Sequence, residues 1–329
     1  MSRWQLPVID LSNALAGDAG ARGRVAAEID RACRDIGFLV VEGHGVPAAL
    51  SARAFAAARE FFDLPVEEKM RYHPADGVAP RGYHALGTRY LARTLGEETP
   101  PDLREQFYVG PLAADPQRYA GFPGAARFYS ENIWPRRPAA YREVFSEYYA
   151  TFESLAAAMM RLFALGLGVD EHHFDDKIDH HFNTCPVNHY PVVPGDPKPG
   201  QLRAGAHSDF GSLTMLAFDD APGGLQVRMP DGGWLDVAPD PGQLVVNIGD
   251  MMARWTNDRW KSTVHRVANP LEPDRARSRR ITIGYFLHPN YDARIACLPT
   301  CAGPGNPVHY PPITAGEHMR DKMERRASA

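Results

Sequence analysis

From residue 183 onward the chain consists largely of short runs of β-branched and aromatic residues, separated by proline, glycine and aspartate. Each run is too short for a helix of ordinary length, and short runs bounded by turn-forming residues are typical of β-strands. The runs occupy residues 213–218, 225–228, 234–237, 243–248, 263–267 and 281–287. Many short strands with turns between them predict a sandwich or a barrel. We therefore predict a mainly β fold with a jelly-roll core at residues 183–329.

Residues 1–182 show a different pattern, in which apolar residues recur at the helical period. The predicted helices occupy residues 25–36, 48–62 and 138–166, and the predicted edge strands occupy residues 8–10 and 38–41. We expect this N-terminal helical region to flank the jelly roll and to cover its substrate pocket, so that both regions form one integrated unit. A polar tail from about Arg320 is expected to fray.

Composition and charge exclude several classes of protein. The net charge of -4 gives no electrostatic footprint for nucleic acid, and no apolar run approaches the length of a membrane span. The first residues lead into a strand-like segment without the pattern of a signal peptide. The four cysteines lack the paired spacing of a zinc site and are too few for a disulfide scaffold. We therefore expect a cytoplasmic protein with reduced thiols, a small-molecule partner, and no nucleic-acid or membrane partner.

The sequence His207-Ser208-Asp209, with His265 further along the chain, has the composition of a metal site. Two imidazoles and one carboxylate form the three-ligand face that binds non-haem iron(II) and leaves positions open for substrate and oxygen. If residues 206–210 run as an extended strand, His207 and Asp209 project from the same face. His265 must then arrive from a distant strand. A His-x-Asp pair alone equally fits hydrogen-bonded surface or core residues.

The segments around these residues carry more specific motifs. They read AHSDFGSLT at 206–214, GGLQV at 223–227, NIGD at 247–250 and STVHRV at 262–267. With these motifs the chain resembles the iron(II)- and 2-oxoglutarate-dependent dioxygenases of the isopenicillin N synthase-like family, from residues 6–11 to residues 310–317. The resemblance implies a double-stranded β-helix core of cupin-like type. It also implies Fe(II) bound by His207, Asp209 and His265, with 2-oxoglutarate and O2 as co-substrates.

A cationic residue beyond the second histidine is expected to bind the far carboxylate of 2-oxoglutarate. The candidates are Arg275, Arg277, Arg279 and Arg280. We select Arg280 because Thr282 lies on the same strand face and adds a hydroxyl donor, whereas Arg279 points the other way. This pair is similar to the family's Arg-x-Ser pattern, with threonine in place of serine. Asn188 and Tyr190 resemble the family's Asn-x-Tyr strand, which implies a co-substrate contact; a plain core tyrosine is the alternative.

The resemblance also suggests residues that contact the substrate. Phe286 falls where the family has an aromatic wall near the iron. Arg81 and Tyr83 resemble the family's loop that folds over the substrate, although loop residues of this type are as often structural. The histidine pairs at residues 172–173 and 180–181 lie in polar segments, and we expect them to be solvated and outside the site.

The preferred function is a 2-oxoglutarate-dependent oxygenase that oxidises a C–H bond of a small molecule by hydroxylation, desaturation or cyclisation, with release of succinate and CO2. Asp209 favours hydroxylation over halogenation, because a carboxylate occupies the position where a halide would bind. One alternative is an oxidase of the isopenicillin N synthase type, which uses no 2-oxoglutarate. A second is an ethylene- and succinate-forming enzyme, and a third is a non-enzymatic jelly-roll binding protein.

Overall fold

The computed structural model describes residues 4–193 and 195–328. Its strands are β1 (Val8–Asp10), β2 (Phe38–Glu42), β3 (Gly82–His84), β4 (Glu105–Val109), β5 (Cys185–Tyr190), β6 (Ala204–His207), β7 (Leu213–Phe218), β8 (Leu225–Arg228), β9 (Trp234–Asp236), β10 (Leu244–Ile248), β11 (His265–Val267), β12 (Arg280–Leu287), β13 (Arg294–Ile295) and β14 (Ile313–Thr314). Its α-helices are α1 (Ser12–Leu15), α2 (Ala19–Asp35), α3 (Ala48–Phe62), α4 (Val66–Met70), α5 (Tyr141–Gly166), α6 (Asp250–Trp255) and α7 (Ala315–Ser328).

The strands form two sheets that face each other, with the β13–β14 pair apart from both. The large sheet has the order β1-β2-β10-β7-β12-β5-β4-β3, and the small sheet has the order β6-β11-β8-β9. Every pairing in these two sheets is antiparallel except that of β1 with β2. Two facing antiparallel sheets with flanking helices confirm the predicted double-stranded β-helix.

Strands from the first 182 residues form both edges of the large sheet. β1 and β2 continue it beyond β10, while β3 and β4 continue it beyond β5. The two regions of the chain therefore share one hydrogen-bonded sheet. Strand β4 adds its own side chains to the face that looks toward the small sheet.

Strand β12 shows how the sequence selects the two faces of the large sheet. Successive side chains of a strand point to opposite faces. Ile281, Ile283 and Tyr285 are buried in the core that the sheet forms with the helices. Arg280 and Thr282 alternate with them and point toward the small sheet. The apolar face fixes the sheet to the helices, and the opposite face is left to build a site.

The larger apolar core lies between the outer face of the sheet and helices α2, α3 and α5. Helix α5 contributes Phe152 and Met159, both fully buried, and each such side chain stabilises the fold by about 1.5–3 kcal/mol relative to exposure. The aromatic and methionine stripe of this helix is thus core packing. A smaller cluster fills one end of the space between the sheets. Its members include Phe38, Val40, Val245, Leu225 and Val227.

Most of the predicted elements are confirmed at or near their expected bounds, among them α3, α5, β7 and β8. The strand expected at residues 206–210 is wrong. Strand β6 ends at His207, and Asp209 lies in the loop that follows. The backbone carbonyl of Asp209 accepts a hydrogen bond from the amide of Asp250 at the start of α6, so this segment leaves the sheet.

The expectation of a frayed tail from Arg320 is also wrong, because α7 continues to Ser328. The helix turns an apolar side inward, where Met319 is buried and Met323 packs on the main core. Among the described residues, no helix is both long enough and apolar enough to cross a membrane.

Candidate metal centre

Three potential ligands meet between the two sheets. His207 ends β6 and His265 begins β11, and the register of these strands places the two histidines opposite each other. Oδ1 of Asp209 lies 3.9 Å from Nε2 of His207 and 3.8 Å from Nε2 of His265. Within residues 4–193 and 195–328, no other group of His, Cys, Asp and Glu side chains has such an arrangement. The structure therefore brings together the three residues that the sequence predicted.

The second ring nitrogen of each histidine is already engaged. Nδ1 of His207 lies 2.8 Å from the carbonyl oxygen of Gly205, and Nδ1 of His265 lies 3.1 Å from that of Thr263. Since a carbonyl only accepts, each Nδ1 carries the proton and donates it. These bonds fix the tautomer that leaves both Nε2 lone pairs free for a metal ion.

The carboxylate of Asp209 is held through one of its oxygens. Its Oδ2 accepts hydrogen bonds from Oγ1 of Thr214 at 2.6 Å and from Nδ2 of Asn247 at 2.7 Å. Thr214 and Asn247 are register partners on strands β7 and β10. Oδ1 faces the two Nε2 atoms and accepts no hydrogen bond from the described residues. Asp209 is thus oriented as a ligand through a single oxygen.

Electrostatics keep these groups in the protonation states that bind metal. Burial, together with the neighbouring His265, lowers the pKa of His207 to about 3, so its imidazole is neutral at neutral pH. Burial on its own raises the pKa of Asp209, but the two imidazoles and the two hydrogen bonds outweigh burial and lower it. Two imidazoles and one carboxylate fit divalent iron and leave one face of the ion open.

A buried cation lies at the start of β12. Arg280 is 2 % exposed, and its guanidinium carbon lies 4.9 Å from the ring centre of Phe218. Its Nε and Nη1 have no hydrogen-bond partner among the described residues. Burial lowers the pKa of Arg280, but a guanidinium keeps its charge at neutral pH. Because unpaired buried donors are costly, the position fits an anionic ligand.

The neighbours of Arg280 are polar side chains on β5 and β12. The register places Tyr190 opposite Arg280 and Asn188 opposite Thr282. Nδ2 of Asn188 donates to Oγ1 of Thr282 at 3.2 Å. The structure thus gathers the four predicted co-substrate residues on one face of two adjacent strands.

Two family models match successive parts of the chain. Residues 6–137 match the N-terminal model of non-haem dioxygenases in morphine synthesis, and residues 182–289 match the 2OG-Fe(II) oxygenase superfamily. The 2-oxoglutarate-Fe(II) type oxidoreductase hxnY of Emericella nidulans is 36% identical over 320 residues, which cover 95% of this chain and 88% of that protein. The chain belongs to the 2OG-Fe(II) oxygenase superfamily.

Further similarities extend over the whole oxygenase. The validamycin A dioxygenase of Streptomyces hygroscopicus subsp. limoneus is 33% identical over 319 residues, which cover 96% of this chain and 85% of that protein. The crystal structure of a full-length Neurospora crassa protein in complex with alpha-KG and 5-formyluracil aligns with a TM-score of 0.83 and 31% identity, covering 98% of this chain and 96% of that one. Fe(II), 2-oxoglutarate and O2 are therefore the metal and co-substrates of this oxygenase.

A cavity opens beside the metal centre of this oxygenase. His207 and Asp209 form part of its wall, and so does Phe286, two residues before His288 on the same face of the chain. The apolar part of the wall also includes Val78, Leu91, Phe128, Phe210, Met319 and Met323. The metal centre therefore borders a cavity with a largely apolar wall.

The structure does not bring Arg81 and Tyr83 to this cavity. Both side chains have no exposed surface. The guanidinium of Arg81 donates to the backbone carbonyls of Phe128 and Ser130, and the hydroxyl of Tyr83 donates to Glu105. In this structure their polar groups hold neighbouring segments together, and the substrate contact expected of these two residues stays a prediction.

The histidine pairs and Arg279 also lie away from the metal centre. Nδ1 of His172 is 2.7 Å from Asp175, and Nε2 of His181 is 2.6 Å from Glu153. Arg279 points to the outer face of the large sheet, where its Nη2 lies 2.7 Å from Oδ1 of Asp63.

Sequence reasoning missed several residues of the site. Thr214 and Asn247 lie inside the quoted motifs, but their shared contact with Asp209 depends on the pairing of β7 with β10. Gln106 of strand β4 and Arg104, which immediately precedes the strand, both donate to Oδ1 of Asn188, at 2.6 and 3.3 Å. Residues 104–109 read Arg-Glu-Gln-Phe-Tyr-Val, without the alternation of polar and apolar residues that would have located this strand.

Proposed function

We propose that this oxygenase oxidises a C–H bond of a small molecule by hydroxylation, desaturation or cyclisation, and that it acts in the cytoplasm. His207, Asp209 and His265 hold the iron. Arg280 binds the far carboxylate of 2-oxoglutarate, and Thr282 contributes a hydroxyl. Succinate and CO2 are the products of the co-substrate.

The buried Arg280 is the observation that carries this assignment. Its two unpaired nitrogens need an anionic partner, and a planar guanidinium matches a carboxylate with two parallel hydrogen bonds. Tyr190 lies opposite Arg280 in the strand register and adds a further hydroxyl to the same face. Arg203 stacks near the ring of Tyr190 but is bound to Ser278, so Arg280 is the better anchor.

When bound, Fe(II) and 2-oxoglutarate supply the oxidising chemistry. The protein contributes placement and the exclusion of water. Thr214 and Asn247 orient Asp209, and the carbonyls of Gly205 and Thr263 orient the imidazoles. Phe286 and the other apolar residues of the cavity wall keep water away from the reacting C–H bond.

The named relatives point to small molecules of several kinds. Their names include validamycin A dioxygenase and homoarginine-6-hydroxylase, and the Neurospora crassa protein is solved with 5-formyluracil and with thymine. This range supports a small-molecule substrate. The identity of the substrate depends on the cavity of this chain, since sites of one fold differ in their lining residues.

An anaerobic titration tests the proposal directly. Addition of 2-oxoglutarate to the Fe(II) protein should produce the weak visible charge-transfer band of a metal-bound 2-oxo acid, and His265→Ala should abolish it. Oxygen consumption should then require added 2-oxoglutarate and yield one succinate per oxygen. Consumption that is indifferent to 2-oxoglutarate would identify an oxidase of the isopenicillin N synthase type, and ethylene in the headspace would identify the fragmenting reaction.

A further inference from the structure

The cavity beside the metal centre continues into a second, outer cavity. The two share part of their walls, namely Val78, Arg89, Phe128 and Met323. Arg89 precedes the short 3-10 helix Leu91–Leu95, and the shared wall makes it the boundary between the inner and the outer space. A substrate that passes through the outer cavity therefore meets Arg89 before it reaches the metal centre.

The outer cavity is strongly basic. Arg89, Arg93, Arg127 and Arg320 line it, with Glu324 as the acidic residue in its wall. Among the described residues, none of these four arginines lies within 4.0 Å of a carboxylate oxygen. At longer range, the charge of Arg127 contributes to lowering the pKa of Asp76, and the charge of Arg320 contributes to lowering that of Glu317. Arginines elsewhere on the surface are commonly neutralised. Examples are Arg53 with Glu147, Arg161 with Asp175 and Arg259 with Asp30.

Arg89 is held in place by a neutral partner. Its Nη2 donates to Nδ1 of His84 at 2.9 Å, while Nε2 of His84 donates to the carbonyl of Ala79 at 3.1 Å. Burial, with the nearby charge of Arg89, lowers the pKa of His84 to about 3, so this imidazole accepts from Arg89 and does not compensate its charge. Nε of Arg89 is buried and has no hydrogen-bond partner among the described residues. The guanidinium is therefore oriented but not neutralised.

The second arginine of the inner cavity differs from Arg89 in this respect. Arg104 lies 3.5 Å from the carboxylate of Asp102 and donates to Asn188. Its charge is compensated within the protein. Arg89 is the arginine of the inner wall that lacks a carboxylate partner in the described part of the chain, and a charged group without a partner in a partly buried wall favours an anionic ligand.

We propose that the prime substrate is a small carboxylic acid with an apolar body. Its carboxylate binds to the guanidinium of Arg89, and its body lies along the apolar wall formed by Phe128, Phe286 and Met319. Arg93, Arg127 and Arg320 attract the anion into the outer cavity. This inference rests on the proposed function, because it places the reacting C–H bond at the metal centre.

Equilibrium binding to the Fe(II) protein under anaerobic conditions tests the proposal, with 2-oxoglutarate kept saturating so that Arg280 is occupied. The probes are matched pairs that differ in the charged group: benzoate and benzamide, phenylacetate and phenylacetamide, hexanoate and hexanamide. Phenyl phosphate is a further probe. At least one acid should bind about tenfold more tightly than its amide, since a charge-assisted hydrogen bond has an effect of this order or more.

Variants connect this preference to Arg89. Arg89→Gln should abolish the difference between acid and amide, and Arg89→Lys should retain part of it. Arg53→Gln removes an equal charge from the exposed surface of α3 and should leave the preference unchanged. The proposal would be overturned if acids and amides bound equally or if no acid bound. It would also be overturned if a folded Arg89→Gln protein kept the full preference for acids. Tighter binding of phenyl phosphate than of every acid would overturn the carboxylate assignment.

The same samples separate this inference from the proposed function. The charge-transfer band of the Fe(II) protein with 2-oxoglutarate reports on the metal and Arg280, which Arg89→Gln leaves in place. A normal band with no acid preference contradicts the substrate class alone. Absence of the band in the wild-type protein contradicts the proposed function itself.

Discussion

Asp209 presents one oxygen to the metal because Thr214 and Asn247 occupy the other. We predict that Thr214→Val lowers the affinity for Fe(II) by about tenfold or more, since loss of a hydrogen bond to a ligating group commonly has this effect. Anaerobic calorimetric titration with Fe(II) measures the change. Thr151→Val, at an exposed position of α5, is the matched control and should bind iron normally. Equal affinities for the two variants would contradict the role given to Thr214.

Arg280 begins β12 and points toward the small sheet, whereas Arg279, which immediately precedes the strand, points to the outer face. We predict that Arg280→Gln weakens 2-oxoglutarate binding by about 2 to 5 kcal/mol, the usual cost of truncating one partner of a buried charge pair. Arg279→Gln removes the contact with Asp63 on the outer face and should leave 2-oxoglutarate binding unchanged. The Michaelis constant for 2-oxoglutarate measures both effects. A steeper loss in Arg279→Gln would show that the proposed co-substrate site is on the wrong face.

At the scale of elements, strand β4 serves the site on one face and the stability of the fold on the other. Gln106 faces the cavity, and so does Arg104, which immediately precedes the strand. Glu105 faces the helices, where it is 5 % exposed and accepts hydrogen bonds from Lys69, His189 and Tyr83. Burial on its own raises the pKa of Glu105, but these three donors outweigh burial and lower it. Burial lowers the pKa of His189.

We predict that Glu105→Gln lowers the free energy of unfolding at neutral pH by about 3 kcal/mol, because it leaves the buried Lys69 without its counter-charge. A lowered carboxyl pKa stabilises the fold above the ordinary value near 4.5, and this contribution is lost as the pH falls below it. Burial lowers the pKa of His189 and Glu105 opposes that lowering, so the loss of stability below about pH 6.5 should be larger in the variant. Urea unfolding between pH 4 and pH 8 measures the difference, which should widen below about pH 6.5 and narrow again below about pH 4.5. A difference that is independent of pH would contradict the prediction.

The same strand shows where prediction from the sequence ends. Helix α3 and strand β7 were predicted at their observed bounds because an apolar period is a local property of the sequence. Strand β4 was not predicted, since Pro100 and Pro101 lie just before it and its partner β5 is about 80 residues away along the chain. Long-range pairing, which no local pattern reports, places Gln106 opposite Asn188 in the site.

At the metal centre, the sequence predicted the ligands but not the local structure that positions them. His207 and Asp209 were identified from residue types and spacing, and His265 from the family resemblance, but the strand expected to align His207 with Asp209 ends at His207. A loop anchored on α6 and the two donors on β7 and β10 orient the carboxylate instead. Spacing of two residues therefore indicated proximity without indicating the local structure that produces it.

On the scale of the whole molecule, the two regions of the chain complete each other. In the large sheet β2 pairs with β10, and β4 pairs with β5, so strands of the first 182 residues pair with both outer strands contributed by residues 183–329. Helix α5 packs against α2 and α3 and covers the outer face of that sheet. Neither region has a closed apolar core of its own. We propose that residues 1–182 and 183–329 fold as one cooperative unit.

We predict that residues 183–329 expressed alone do not fold, because β5 and β10 would become open sheet edges and the apolar face of β12 would be exposed to water. Circular dichroism should show no cooperative thermal transition, and a dye that binds exposed apolar surface should bind strongly. Co-expression with residues 1–182 should restore a cooperative transition and the Fe(II)–2-oxoglutarate band, because the missing strands and helices are supplied in trans. A fragment 183–329 that unfolds cooperatively and binds iron by itself would contradict the single folding unit while leaving the assignment of the ligands in place.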